Sequence, residues 1–110
     1  MKKFRVAFKG LCDGFADRSI LTQWILACCA IAAGLVFRFT FGEWLVVVVC
    51  IGMVVSCEML NTCIERVCDL CGTQYDERIR YIKDLSAGAV LVASVAALVA
   101  GVMIILRRFL

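Results

Sequence analysis

The chain contains neither histidine nor proline. Without histidine, a zinc site would have to rest on cysteine alone. The eight cysteines (Cys12, Cys28, Cys29, Cys50, Cys57, Cys63, Cys68 and Cys71) match no zinc-ligand spacing. Most of them sit in apolar runs, where cysteine behaves as a small hydrophobe, and nothing in their pattern points to an oxidising compartment. Without proline, nothing breaks a long helix. A basic stripe with interleaved aromatics is also missing, which argues against nucleic acid as a partner. No small-residue cleavage site follows the first apolar run, which argues against a cleaved signal peptide.

What is abundant is apolar surface. Of 110 residues, 64% are hydrophobic, against about 45–50% in soluble domains. A single soluble domain of this size has too little interior to hide that surface, so lipid is the expected solvent. The net charge is only +3, but Lys2, Lys3, Arg5, Lys9 and Arg18 crowd the first eighteen residues.

The expected fold is all-α, a polytopic membrane protein forming one domain over residues 1–110. Residues 1–16 read as an amphipathic surface helix. Phe4, Phe8, Leu11 and Phe15 recur on one side, and the basic residues fall mostly elsewhere. Residues 20–37 form the first spanning candidate, just long enough to cross the hydrocarbon core. Gly42 is a candidate turn in the short connection over 38–43. The apolar run Trp44–Cys57 is too short to span alone, but its helical pattern continues, which predicts one helix over 43–71 with Gly72 as its stop. A polar connection is expected over 72–82, and a third spanning helix over 84–106. Within that helix the run from Leu85 to Leu106 carries no charge. Lysine and arginine counts place the N terminus and the second connection in the cytoplasm, which suits a multi-pass protein of the bacterial inner membrane. Arg107 and Arg108 fall on the wrong side for that rule.

The chemistry is concentrated in the second half of the middle helix. Glu58, Asn61, Glu65 and Asp69 are spaced i, i+3, i+7 and i+11, a polar ridge along one stripe. Acids inside a membrane helix cost about 2.5–3.5 kcal/mol each at its centre, so they need a purpose or a partner. The run Trp44–Cys57 rises about 21 Å at 1.5 Å per residue, which puts Glu58 near the edge of the hydrocarbon and Glu65 about 10 Å further out. One carboxylate then meets a lipid headgroup and the next meets soluble reactants. This suits phosphoryl transfer to a lipid hydroxyl: an inner base accepts the hydroxyl proton, while outer carboxylates and an amide hold Mg²⁺ on nucleotide phosphates. The plainer account is a solvated helix face. Asp17, where the surface helix turns into the membrane, is a second candidate or else a helix cap. Lys83 and Asp84, on the level of Glu65, can hold phosphate or simply begin a helix with a snorkelling lysine. Small residues along the last helix (Ala87, Gly88, Ala93, Ser94, Ala97, Ala100, Gly101) allow close approach and favour an oligomer.

The segment Glu58-Met-Leu-Asn61-Thr-Cys-Ile-Glu65-Arg-Val-Cys-Asp69 resembles the signature of the prokaryotic diacylglycerol kinase and undecaprenol kinase family. Lys83-Asp84, followed by Gly88-Ala89-Val90-Leu91, resembles a second segment of that family. The resemblance covers nearly the whole chain. It implies an ATP- and Mg²⁺-dependent lipid kinase acting on undecaprenol or diacylglycerol, built as a homotrimer with sites shared between neighbours. It implies Glu58 as general base, Glu65 as ligand of the Mg²⁺ carried by ATP, and Asn61 and Asp69 in support. Asp17 matches a further acidic metal and nucleotide position, where the family usually carries Glu, and Gln23 stands where His is frequent. Lys83 and Asp84 would contact nucleotide phosphate, and Gln74, Tyr75 and Asp76 match a nucleotide-contacting stretch. Glu43-Trp44 and Val67-Cys68-Asp69-Leu70 look more like the undecaprenol kinase branch. The rival reading is a non-catalytic membrane adaptor whose acidic row binds a basic partner. A cation or proton pathway along the row is disfavoured, because the last helix offers no ionisable partner.

Overall fold

The computed structural model describes residues 2–72 and 74–110. Met1, at the head of the expected surface helix, and Thr73, in the expected polar connection, lie outside them. Four helices follow in order: α1 (Lys2–Gly14), α2 (Arg18–Val36), α3 (Phe41–Leu70) and α4 (Glu77–Phe109). The last three are long and apolar enough to cross a membrane.

α1 buries none of its residues, and Phe4, Phe8 and Phe15 stay exposed. An amphipathic helix that leaves its apolar side bare matches one lying in a membrane interface. Turn bonds from Phe15, Ala16 and Asp17 back to Cys12, Asp13 and Gly14 end it. Asp17 then caps α2, its side chain accepting from Ser19 N at 3.2 Å.

α3 is the central helix and packs against both α2 and α4. Its start is fixed by a capping box: Glu43 N donates to Thr40 Oγ1 at 3.3 Å, and Thr40 N donates to Glu43 Oε1 at 2.9 Å. The expected turn at Gly42 is not there, because Gly42 lies in the first turn of α3. The reversal is made one step earlier. Phe37 N bonds Ala33 O, Phe39 N bonds Gly34 O at 3.0 Å, and Arg38 sits between them at φ 55°. This is a Schellman closure with arginine in the left-handed position that glycine usually fills. At the other end Gly72, at φ 122°, does stop α3.

The helix expected over 84–106 is longer at both ends, and the polar connection expected over 72–82 shrinks accordingly. Charge there marks the edge of the lipid and not the edge of the helix. Asp76 caps α4 by accepting from Arg78 N at 2.8 Å, Glu77 complements the helix dipole, and Arg80 pairs with Asp84 one turn on at 3.0 Å. At 30 and 33 residues, α3 and α4 are about 45–50 Å long. Both exceed the ~30 Å hydrocarbon thickness, so their polar turns protrude from it.

The interior is thin. Ile20, Ala27, Val55, Cys68 and Ala93 are the buried hydrophobic residues among those described, while large apolar side chains on every helix face outward. This is the surface of a membrane protein, whose exposed apolar side chains face lipid or neighbouring chains and not water.

Candidate active site

Three helix ends meet at the level of the acidic row: the start of α2, the second half of α3 and the start of α4. The α-helical period puts Glu58 and Asn61 on the face of α3 turned into the bundle, and both are about 92% buried, with 8% relative exposure each. Glu65, one turn beyond Asn61, is exposed. The Asn61 amide joins the two levels, with Nδ2 donating to Glu65 Oε1 at 2.9 Å and Oδ1 accepting from Ser86 Oγ at 2.7 Å.

Asp17 and Ser19 at the start of α2 lie beside Glu58, and Glu65 lies close enough for its charge to be felt there. Asp17 also takes an ion pair from Arg66 at 3.3 Å, with the arginine largely exposed. Among the described residues no lysine or arginine pairs with Glu58 or Glu65. Three carboxylates therefore share one corner, and the cations in reach of them, Arg66 and Lys83, are paired with Asp17 and Asp69.

The remaining candidates divide. Lys83 Nζ reaches back to Asp69 Oδ1 at 2.9 Å, which clamps the start of α4 to the end of the acidic row. Asp84 faces Arg80. Asp76 caps α4 and pairs with Arg78 at 3.0 Å. Its hydrogen bonds to the Arg78 guanidinium and backbone hold its carboxyl below the usual range. Gln74 and Tyr75 are exposed in the connection. The sequence reading missed Ser86 and Ser19. The only sequence signal for Ser86 was a lone hydroxyl early in an otherwise apolar run.

Mg²⁺ fits this donor set in one mode only. Among the described residues no three acidic, cysteine or histidine side chains gather as a cage for a metal. Magnesium on nucleotide phosphates needs only one or two carboxylates from the protein. Asp17 and Glu65 would be two carboxylates of that kind at this corner. All eight cysteines are free.

Below this corner an apolar cavity of about 460 Å³ runs between the three spanning helices, lined by Ala27, Cys50, Val54 and Ala97 among others, with Gln23 and Ser94 as polar members.

Comparison with known proteins agrees with this arrangement. The family model described as prokaryotic diacylglycerol kinase matches residues 5–105. An undecaprenol kinase of Bacillus subtilis is 34% identical over 108 residues, which is 97% of this chain and 88% of that protein. A diacylglycerol kinase of Synechocystis is 32% identical over 109 residues, 97% of this chain and 62% of that longer protein. The acidic row on α3, the joining of α2, α3 and α4 around it, and a match over nearly the whole length together show that the chain belongs to the prokaryotic diacylglycerol kinase family.

Proposed function

We propose that the chain is an ATP- and Mg²⁺-dependent lipid kinase that phosphorylates a lipid hydroxyl at the cytoplasmic face of the bacterial inner membrane, with undecaprenol as the first acceptor to test and diacylglycerol as the second. The observation that carries this reading is the pairing of depths on one helix. Glu58 is buried in the bundle and Glu65 is exposed seven residues further along, with Asn61 bonded to Glu65 between them.

The lipid oxygen attacks the γ-phosphorus of ATP, the bond from that phosphorus to the β–γ bridging oxygen breaks, and ADP leaves. The hydroxyl proton goes to Glu58, which has no ion-pair partner among the described residues to hold its charge. Glu65 and Asp17 are the residues that would hold the Mg²⁺ brought by ATP, with Asn61 and Asp69 in support. When bound, the ion supplies neutralisation of phosphate charge. Asp17 must first release Arg66, whose guanidinium is largely exposed and returns to water at little cost. Lys83 and Asp84 would meet nucleotide phosphate, Lys83 by exchanging Asp69 for it, and Gln74, Tyr75 and Asp76 would line the nucleotide's approach. The N terminus and the second connection lie on the cytoplasmic side. The working assembly is a homotrimer with sites shared between neighbours. The similarity to an undecaprenol kinase over 88% of its length favours that acceptor.

The test is transfer of label from γ-labelled ATP in mixed micelles, with undecaprenol and diacylglycerol offered separately. Labelled lipid that disappears without Mg²⁺ and in Glu58→Gln supports the reading, and the preferred lipid names the acceptor. A folded protein that labels neither lipid overturns it.

A further inference from the structure

Ser86 is buried on α4, where the other buried residue among those described is Ala93. We propose that Ser86 is a positioning residue for the carboxylate of Glu65, acting through the side-chain amide of Asn61. The proposal rests on the kinase reading of Glu65, but its geometry does not.

The direction of the chain follows from chemistry. An ionised carboxylate only accepts hydrogen bonds, so the end of Asn61 that faces Glu65 has to be the NH₂ group. The amide oxygen then faces Ser86, which must donate its one proton to it across 2.7 Å. The Lys83 carbonyl, 2.9 Å from the same hydroxyl, is the competing acceptor. The hydroxyl proton is therefore a two-way choice, and only one setting holds the Asn61 oxygen. Rotating the amide by 180° would keep a contact at Ser86 but set oxygen against oxygen at Glu65. With the hydroxyl in place the amide has one orientation, Glu65 Oε1 is taken, and the second oxygen is left without a donor among the described residues. That oxygen is the one available to a cation.

This matters because Glu65 is exposed. A free glutamate side chain loses rotamer freedom when it binds, and the bond from Asn61 removes part of that freedom beforehand. Asn61 is itself buried and cannot turn to water for a replacement donor. Removing the Ser86 hydroxyl leaves a buried acceptor unmet, and the amide becomes free to tilt away from Glu65.

Asn61 is the only asparagine in the chain, so selective ¹⁵N-asparagine labelling reports on one side-chain amide. Ser86→Ala and Ser86→Thr are compared with wild type in the full chain, in detergent micelles. The two amide protons of Asn61 are expected to be distinct and slow to exchange with water in wild type. In Ser86→Ala they exchange faster and move together, and Ser86→Thr restores the wild-type signal. Binding of Mn²⁺ with a non-hydrolysable ATP analogue, which needs no turnover, weakens about tenfold in Ser86→Ala, the scale set by one buried unmet acceptor. In turnover, KM for the metal–nucleotide rises by the same factor and KM for lipid stays. An unchanged Asn61 signal with unchanged Mn²⁺ affinity in Ser86→Ala overturns the proposal. So does a parallel rise in lipid KM, which would mark a general packing role. A protein that transfers no phosphate but shows the amide and Mn²⁺ effects refutes the kinase reading alone. Normal transfer with no effect at Ser86 refutes this proposal alone.

Discussion

The two ends of the bundle use similar residues in opposite ways. At the far end, Glu43 closes the capping box of α3 and pairs with Arg108 at 3.1 Å. Arg108 also donates to the Arg38 carbonyl at 2.6 Å and lies over the Phe39 ring at 5.3 Å. Trp44 meets Phe39 edge-on and fills the space left by Gly34. At the site end, Glu58 is more deeply set but has no ion-pair partner among the described residues, and three carboxylates there meet only Arg66 and, at longer range, Lys83. A bundle held shut at one end can leave negative charge uncompensated at the other. Stability is concentrated in one region and an open electrostatic demand in the other.

One substitution at each end tests that contrast most strongly. Glu58→Gln is expected to lower phosphate transfer about 10²–10⁴-fold, the range for removing a general base. Its thermal midpoint should hold or rise, because a neutral amide relieves a buried, unpaired charge. A large loss of stability in Glu58→Gln would show that the site end is structural after all. Gly34→Ala should act in the reverse sense. A Cβ there would lie 2.6 Å from Trp44 Cη2, so the ring must move at a cost of about 1–3 kcal/mol. Chemical unfolding should report that loss, with the Km for lipid and nucleotide preserved in the protein that remains folded.

Glu43→Gln follows with a smaller effect. It removes the partner of Arg108 and weakens the capping box, so the melting temperature falls while transfer per folded molecule is kept. Loss of transfer instead would tie the far end to catalysis. Arg38→Gly should stabilise by about 1 kcal/mol, since glycine takes the left-handed conformation without a Cβ penalty and the Arg38 carbonyl contact belongs to the backbone. Urea titration beside wild type measures it.

The smallest expected effect is at Asp76. Its carboxyl lies below its ordinary value of 3.8, chiefly because of the Arg78 side chain. A carboxyl with a depressed folded-state pKa contributes stability that is fully present above the unfolded value and is lost as pH falls through the folded one. Asp76→Asn keeps an N-cap but loses the ion pair. The gap in melting temperature between wild type and this variant should be constant above about pH 5, where an unfolded aspartate is ionised, should begin to narrow below about pH 4, and should close once the folded carboxyl is protonated as well. A gap that persists in acid would mean that the cap, and not the charge, is what the variant loses.

Much of this arrangement was legible beforehand, and where it was not the reason is physical. Periodicity carries helices, and the spacing Glu58, Asn61, Glu65 marked one stripe of α3 before any partner was known. The extension of α4 back to Glu77 was missed because hydropathy reports where lipid begins and not where a helix begins. The turn was assigned to Gly42 because glycine is the usual left-handed residue. The chain instead puts Arg38 there, in a local Schellman closure that Arg108 braces from the end of α4. Arg107 and Arg108 stood against the charge rule, and no local pattern announced that Arg108 pairs with Glu43 across the bundle.

The sequence by itself determined that this is a three-span helical membrane protein with a graded acidic row on its middle helix, because solvent preference and helical period are properties of residues along one chain. Only the tertiary structure decided which polar groups answer one another. Ser86 meets Asn61 from 25 positions away, Lys83 meets Asp69, and Arg66 meets Asp17 from 49 positions away. Hydrogen bonds act over about 3 Å, so whether two groups bond depends on how α2 and α4 lie against α3, and that packing is written in no single segment.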